Sequence, residues 1–112
     1  MLVKKSERKK HMNSPKCTAY EYPFPDKDIN IAFIEIKGRY PEKGRVTNKV
    51  CKELVFVVKG IGKIEIDGKE LSISEGDSIL IQPNQKYFFD GKLDIFAACH
   101  PTWYPEQHIE CD

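Results

Sequence analysis

The chain has 112 residues, one domain's worth, enough to bury roughly two-thirds of its unfolded surface around a core. Eighteen Lys and Arg against seventeen Asp and Glu leave a formal net charge of +1, which gives no ground for a nucleic-acid partner. The longest apolar run, Leu54 to Val58, is five residues, far short of a membrane span.

Residues 1–15, "MLVKKSERKKHMNSP", are polar and mostly basic. They present no apolar face to bury and read as a disordered tail ahead of one domain over 16–112. They hold no apolar stretch of the kind a secretory signal needs. From Cys17 onward the pattern changes. "YEYPFP" is short and broken by proline. "INIAFIEIKG", Ile29 to Gly38, alternates: Phe33 and Glu35 share one parity, Ile34 and Ile36 the other, and either pair can line an interior. "KELVFVVKG" reads as a buried strand ending at Gly60, with Glu53 at its mouth. "GKIEIDGKELSI" reads as a hairpin turning at Asp67-Gly68. "SEGDSILIQPNQKYFF" turns at Glu75-Gly76 and Pro83-Asn84, and "KLDIFAACH" is the last strong strand before the aromatic tail "TWYPEQHIECD". Turn signals every eight to twelve residues, with no helical periodicity, predict an all-β sandwich or barrel. The four cysteines, Cys17, Cys51, Cys99 and Cys111, form no C-x-x-C pair. They read as free thiols of a reducing compartment, so the cytoplasm is expected.

The order of these features resembles the cupin family, small double-stranded β-helix (jelly-roll) barrels. Glu53 and Gly60 carry the E-x6-G end of the family's first motif, G-x5-H-x-H-x3-4-E-x6-G. Gly76 opens the second, G-x5-P-x-G-x2-H-x3-N, with Gln82 at the proline position, Asn84 at the glycine, Tyr87 at the histidine and Gly91 at the asparagine. The ending "HPTWYPEQH" is similar to the tails of very small cupins. The resemblance implies a barrel whose mouth holds a metal on two histidines and a glutamate of the first motif and one histidine of the second. Here the first two positions fall on Thr47 and Lys49, or on Val46 and Asn48 with the longer spacing, and the last falls on Tyr87. With only Glu53 retained, the expectation is that the chain carries no family-type metal and no other cofactor.

Thr47, Lys49, Cys51, Glu53, Val55 and Val57 share one parity along an extended chain. That predicts Lys49 beside Glu53 at the barrel mouth, balancing a carboxylate that is costly to bury alone, or else a plain ion pair in solvent. Cys51 is either a thiol sharpened by Lys49 or a small buried hydrophobe. His100 is either a base reaching the mouth or a surface histidine before a proline, and His100, Cys51 and Glu53 together would make a nonstandard metal set. Trp103 and Tyr104 either cap the barrel or pack in a homodimer, the expected assembly. Three functions fit the sequence. The first is a metal-free cupin binding a small polar ligand, a sugar or organic acid, through Thr47, Lys49, Cys51, Glu53, Tyr87 and His100, as a binding protein or as a non-metal sugar isomerase or epimerase. The second is a metal-dependent dioxygenase or phosphomannose-isomerase-like enzyme with unfamiliar ligands. The third is a degenerate barrel kept for oligomerisation.

Overall fold

The computed structural model describes residues 1–112. It is built of nine strands: β1 (Lys9–Ser14), β2 (Cys17–Glu21), β3 (Asn30–Tyr40), β4 (Arg45–Asn48), β5 (Lys52–Ile66), β6 (Lys69–Ser74), β7 (Ser78–Ile81), β8 (Lys86–His100) and β9 (His108–Cys111). Two single 3-10 turns, Lys5–Glu7 and Pro105–Gln107, are the only helical pieces, so no helix is long and apolar enough to cross a membrane. All strand pairings are antiparallel, in the order β1-β2-β3-β8-β4-β9, with β5 pairing β6, β7 and β8. The sheet curls into a jelly-roll barrel.

β5 and β8 are each 15 residues long and lie side by side from Lys52↔His100 to Ile66↔Tyr87, with a bulge between Val57 and Lys59. The sequence reading ends one strand at Gly60 and breaks another before Lys92. In the structure both strands run on through their glycines. The reason lies across the sheet: Gly38 of β3, Gly91 of β8 and Gly62 of β5 stand in one register row. A Cβ on Gly91 would collide with Gly62 and the Ile61 carbonyl, and Gly91 holds φ +136. Three adjacent strands bend together at this row, as a barrel corner requires. The Asp67-Gly68 turn is as expected, with both residues at positive φ (49 and 84) and the twist of a two-residue hairpin.

Val55, Val57 and Ile64 of β5, Leu93 and Ile95 of β8, Ile36 of β3 and Ile81 of β7 are almost wholly buried. Each contributes roughly 1.5–3 kcal/mol by leaving water. In β3 it is Ile34 and Ile36 that face inward, while Phe33 and Glu35 lie on the outer surface. The basic start departs from its expectation as a disordered tail over 1–15. Lys9–Ser14 form β1, paired with β2 from Lys9↔Glu21 to Ser14↔Cys17. An exposed strand without an apolar face is held here by its backbone ladder, which a hydrophobicity pattern does not register.

Candidate active site

Inside one end of the barrel lies a cavity of about 60 Å³, room for a few waters at roughly 10–15 Å³ each. Glu53, Tyr40, Tyr87, Cys99, Trp103 and His108 supply its polar and aromatic wall, and Asn13, Glu21 and Asn30 stand with them in its lining. No lysine or arginine lines it.

Glu53 enters from the start of β5, between Ile81 of β7 and Cys99 of β8. It is 6% exposed. Its Oε1 accepts from Asn48 Nδ2 at 3.3 Å and from the Cys99 thiol at 3.7 Å. Its Oε2 has no hydrogen-bonding partner in the protein. The only ion pairs, Arg45–Glu65 and Lys63–Glu70, involve other residues. Burial therefore raises the Glu53 pKa against the opposing pull of the Asn48 and Cys99 hydrogen bonds. Without a cation, desolvation favours the neutral acid.

His108 closes the same wall from the start of β9. Its Nε2 is 2.9 Å from the Tyr40 hydroxyl and its Nδ1 2.8 Å from Asn48 Oδ1. The protons in this chain follow from the backbone outward. The N–H groups of Val50 and Cys51 both point at Gln107 Oε1, at 3.2 and 3.1 Å, which fixes that oxygen and turns Gln107 Nε2 toward Asn48 Oδ1, 3.0 Å away. Asn48 must then present its nitrogen to Glu53, and His108 Nδ1 must carry a proton to meet Asn48 Oδ1. Burial lowers the His108 pKa to about 4, so the ring is neutral at ordinary pH and its Nε2 accepts from Tyr40. Tyr40 is thereby the donor to an imidazole base. Burial raises the pKa of its own hydroxyl, and of Tyr87's.

Of the residues proposed from sequence, Glu53 and Tyr87 line the cavity, and the other four do not. Lys49 is exposed and makes no ion pair; the expected Lys49–Glu53 contact is absent. The parity argument fails because residues 49–51 are a connection between β4 and β5, pinned by the Lys49 N–H to the Gln107 carbonyl and by the Gln107 side chain. Thr47 gives its hydroxyl to the Gln85 carbonyl at 2.8 Å. Cys51 points its thiol at the Pro101 carbonyl, and burial raises its pKa, so it is a packed thiol. His100 is exposed, with Nδ1 2.7 Å from the Asp28 carbonyl; it joins neither Glu53 nor Cys51. Trp103 lines the cavity, its ring 5.7 Å from that of His108, and so caps the barrel. Sequence reasoning missed Tyr40, Asn48, Cys99, Gln107 and His108. For Asn48 the longer motif spacing carried the signal, since it places this residue where the family has a histidine. For His108 and Gln107 the only trace was the similarity of the tail.

The residues do not suit a divalent metal. The family positions hold Val46, Asn48, Glu53 and Tyr87, which offer one carboxylate. Both nitrogens of His108 are engaged by Asn48 and Tyr40. Nowhere do three or more His, Cys, Asp or Glu side chains gather, whereas a Zn or Fe site takes three or more such ligands.

Solved structures of the same fold include Pac13 from Streptomyces, a nucleoside dehydratase, with TM-score 0.89 and 14% identity over 99% of this chain and 90% of that one. Variants of Pac13 with a histidine or a tyrosine replaced have been solved with uridine. A protein from Planctomyces limnophilus superposes with TM-score 0.82 and 16% identity, covering 96% and 94% of the two chains. KdgF from Halomonas sp. does so with 0.72 and 13%, covering 90% and 94%. No curated protein matches the sequence. The family model described as "Cupin domain" matches residues 35–92, just over half of the chain, and the chain belongs to that family.

Proposed function

We propose that the cavity receives the reacting end of a neutral, hydroxylated molecule and that Glu53 and the Tyr40–His108 pair move protons on it, as in a sugar- or nucleoside-directed dehydratase or isomerase. One observation carries this reading. A carboxyl group without a cation and a tyrosine hydrogen-bonded to a neutral imidazole line the same small cavity. A general acid and a general base facing one cavity suit proton transfer.

In a dehydration, Glu53 gives its proton to a leaving hydroxyl, which departs as water. The Tyr40 oxygen takes the proton from the adjacent carbon as its own passes to His108 Nε2, and a carbon–carbon double bond forms. Glu53 is left as carboxylate and His108 as imidazolium until a proton returns. In an isomerisation the proton goes back to carbon instead. The absence of lysine and arginine from the lining favours a neutral ligand over an organic acid, because nothing there balances an anion. Support also comes from Pac13, a nucleoside dehydratase of the same fold whose uridine complexes were made with histidine and tyrosine variants.

The test is a thermal-shift series of neutral sugars, nucleosides and carboxylic acids with a chelator present, followed by product analysis on the binders. Neutral polyols or nucleosides should raise Tm, and Glu53→Gln and His108→Gln should bind them without turnover. Carboxylates as the only binders, or binding that needs a divalent metal, would defeat the reading.

A further inference from the structure

Hydrogen bonds do not close the barrel. β1 and β9 are the two ends of the strand order and do not pair with each other. Their tips still face one another. Residues 13–15 at the end of β1 and residues 110–112 at the end of β9 wall one groove, together with the turn 41–44 between β3 and β4. Asn13 and Tyr40 line both this groove and the cavity, so the seam between the edge strands joins the two. Arg39 holds the turn. Its Nη1 donates to the Pro41 carbonyl at 2.7 Å and its Nη2 to the Gly44 carbonyl at 2.9 Å, while the guanidinium lies 4.0 Å over the Phe88 ring. The other end of the cavity, beside Asn30, is covered by Trp103, whose backbone N–H donates to Asn30 Oδ1 at 3.0 Å.

The cavity's 60 Å³ falls well short of the roughly 300–1,000 Å³ that enclose a small molecule. It holds a reacting end and no more. The groove outside it measures about 980 Å³ and is polar. Glu42, Glu110 and Asp112 stand against one cation in its lining, Lys43. Arg45 is taken by Glu65 at 3.7 Å and by the Asp112 carbonyl at 2.9 Å. Inside, Glu53 is 6% exposed and its Oε2 has no partner in the protein, a buried acceptor left open for a ligand. The groove also acts on the site. Burial first, and then negative neighbours that include Glu110, raise the pKa of the Tyr40 hydroxyl. We infer that the ligand enters through the β1–β9 seam and leaves its unreacting part in the groove, and that this part is uncharged or carries an ammonium group. The inference takes the cavity as the place of reaction. A phosphate or carboxylate would approach a lining of its own sign, whereas a cation would be gathered by it. The substrate is then an unphosphorylated glycoside or nucleoside, or an amino sugar.

Cys17 reports on the passage. It lines the cavity, and its sulfur is 3.7 Å from Asn13 Nδ2. Two methanethiosulfonates of similar size, one bearing an ammonium and one a sulfonate, each turn a thiolate into a mixed disulfide and release methanesulfinate. Peptide mass spectrometry assigns the product to Cys17. At low salt the ammonium-to-sulfonate rate ratio at Cys17 should exceed that of free mercaptoethanol at least tenfold, and it should fall toward that value as salt screens the groove. Glu42→Gln with Glu110→Gln should cut the ratio at least threefold; both residues are exposed, so the fold survives. Trp103→Ala should leave the Cys17 rates unchanged. A ratio equal to that of the free thiol overturns the charge selection, as does a larger Tm rise with uridine 5′-phosphate or glucose 6-phosphate than with uridine or glucose. A Cys17 that reacts with neither reagent, or only after Trp103→Ala, overturns the entry route. The labelling rates need neither ligand nor turnover, so this route can fail while the proton chemistry of the cavity stands, and the reverse.

Discussion

Gln107 donates to Asn48 Oδ1 at 3.0 Å while its own oxygen holds the backbone N–H groups of Val50 and Cys51. One buried amide thus ties three things together: the connection between β4 and β5, the orientation of Asn48, and through Asn48 both Glu53 and His108. Asn48 is shared by the acid and the base of the site. A networked polar cluster of this kind stabilises when every member is satisfied and is costly when one is removed.

Gln107→Leu should therefore destabilise the fold by about 2–4 kcal/mol, since the buried Cys51 N–H and the part-buried Val50 N–H lose their acceptor and Asn48 loses a donor. Gln107→Glu should cost less. Its carboxyl group keeps an acceptor for Val50 and Cys51 and, in the neutral form that burial favours, an O–H donor to Asn48. Urea unfolding of the two variants checks the order; equal losses would mean that the two N–H groups find another acceptor.

The neutral His108 gives a pH dependence of stability. Its folded pKa, about 4, lies below the ordinary 6.5. Between those values the unfolded chain takes up a proton that the folded chain refuses, so the contribution is complete above pH 6.5 and is lost as pH falls toward 4. At about 1.4 kcal/mol per pH unit this amounts to about 3 kcal/mol. The stability difference between wild type and His108→Gln, followed by urea midpoints, should shrink or reverse in sign across that window. A constant difference would show that the imidazole takes up its proton in the fold as readily as in the unfolded chain.

The barrel was legible because its signals are local. Asp67-Gly68, Glu75-Gly76 and the alternation of Val55, Val57, Ile64 and Ile66 each specify their own stretch, and their order resembles one family. The site was legible only at Glu53 and Tyr87, where that family has ligands. Lys49 was misplaced because strand parity holds only while the strand is unbroken, and the clamp that breaks it comes from Gln107, more than fifty residues away. Tyr40 and His108 meet across a sequence separation of 68; no spacing rule brings a β3 tyrosine to the tail histidine.

The bend in the barrel predicts a contrast between two glycines of positive φ. A Cβ at Gly68 meets nothing within 4 Å, whereas one at Gly91 strikes the backbone of Gly62 and Ile61. Gly68→Ala should cost only the conformational preference, about 1 kcal/mol. Gly91→Ala adds a clash between two long strands and should cost at least about 2 kcal/mol more, by the scale of strained core substitutions. Thermal unfolding of the pair measures the gap, and equal Tm values would mean that β5 and β8 can part at this row without loss.

Glu53 sets the last expectation, with the opposite sign to His108. Burial raises its folded pKa above the unfolded value of 4.5. Above pH 4.5 the unfolded chain releases the proton while the folded chain holds it. Stability from the neutral acid is therefore full below pH 4.5 and declines as pH rises to the folded value. Glu53→Gln removes the titration and keeps the shape: its oxygen can still accept from Asn48 and Cys99. With Lys49 in solvent, no cation is stranded by the change. Relative to wild type, Glu53→Gln should gain about 1.4 kcal/mol for each pH unit between 4.5 and the folded pKa, then level off. The two curves should converge in acid. The same variant keeps the cavity's shape and lacks the acidic proton, so any turnover found for the wild type should be lost while ligand still binds. Parallel stability curves from pH 4 to 9 would mean that Glu53 is ionised in the fold as readily as in water, and the proton-donor role assigned to it would fall.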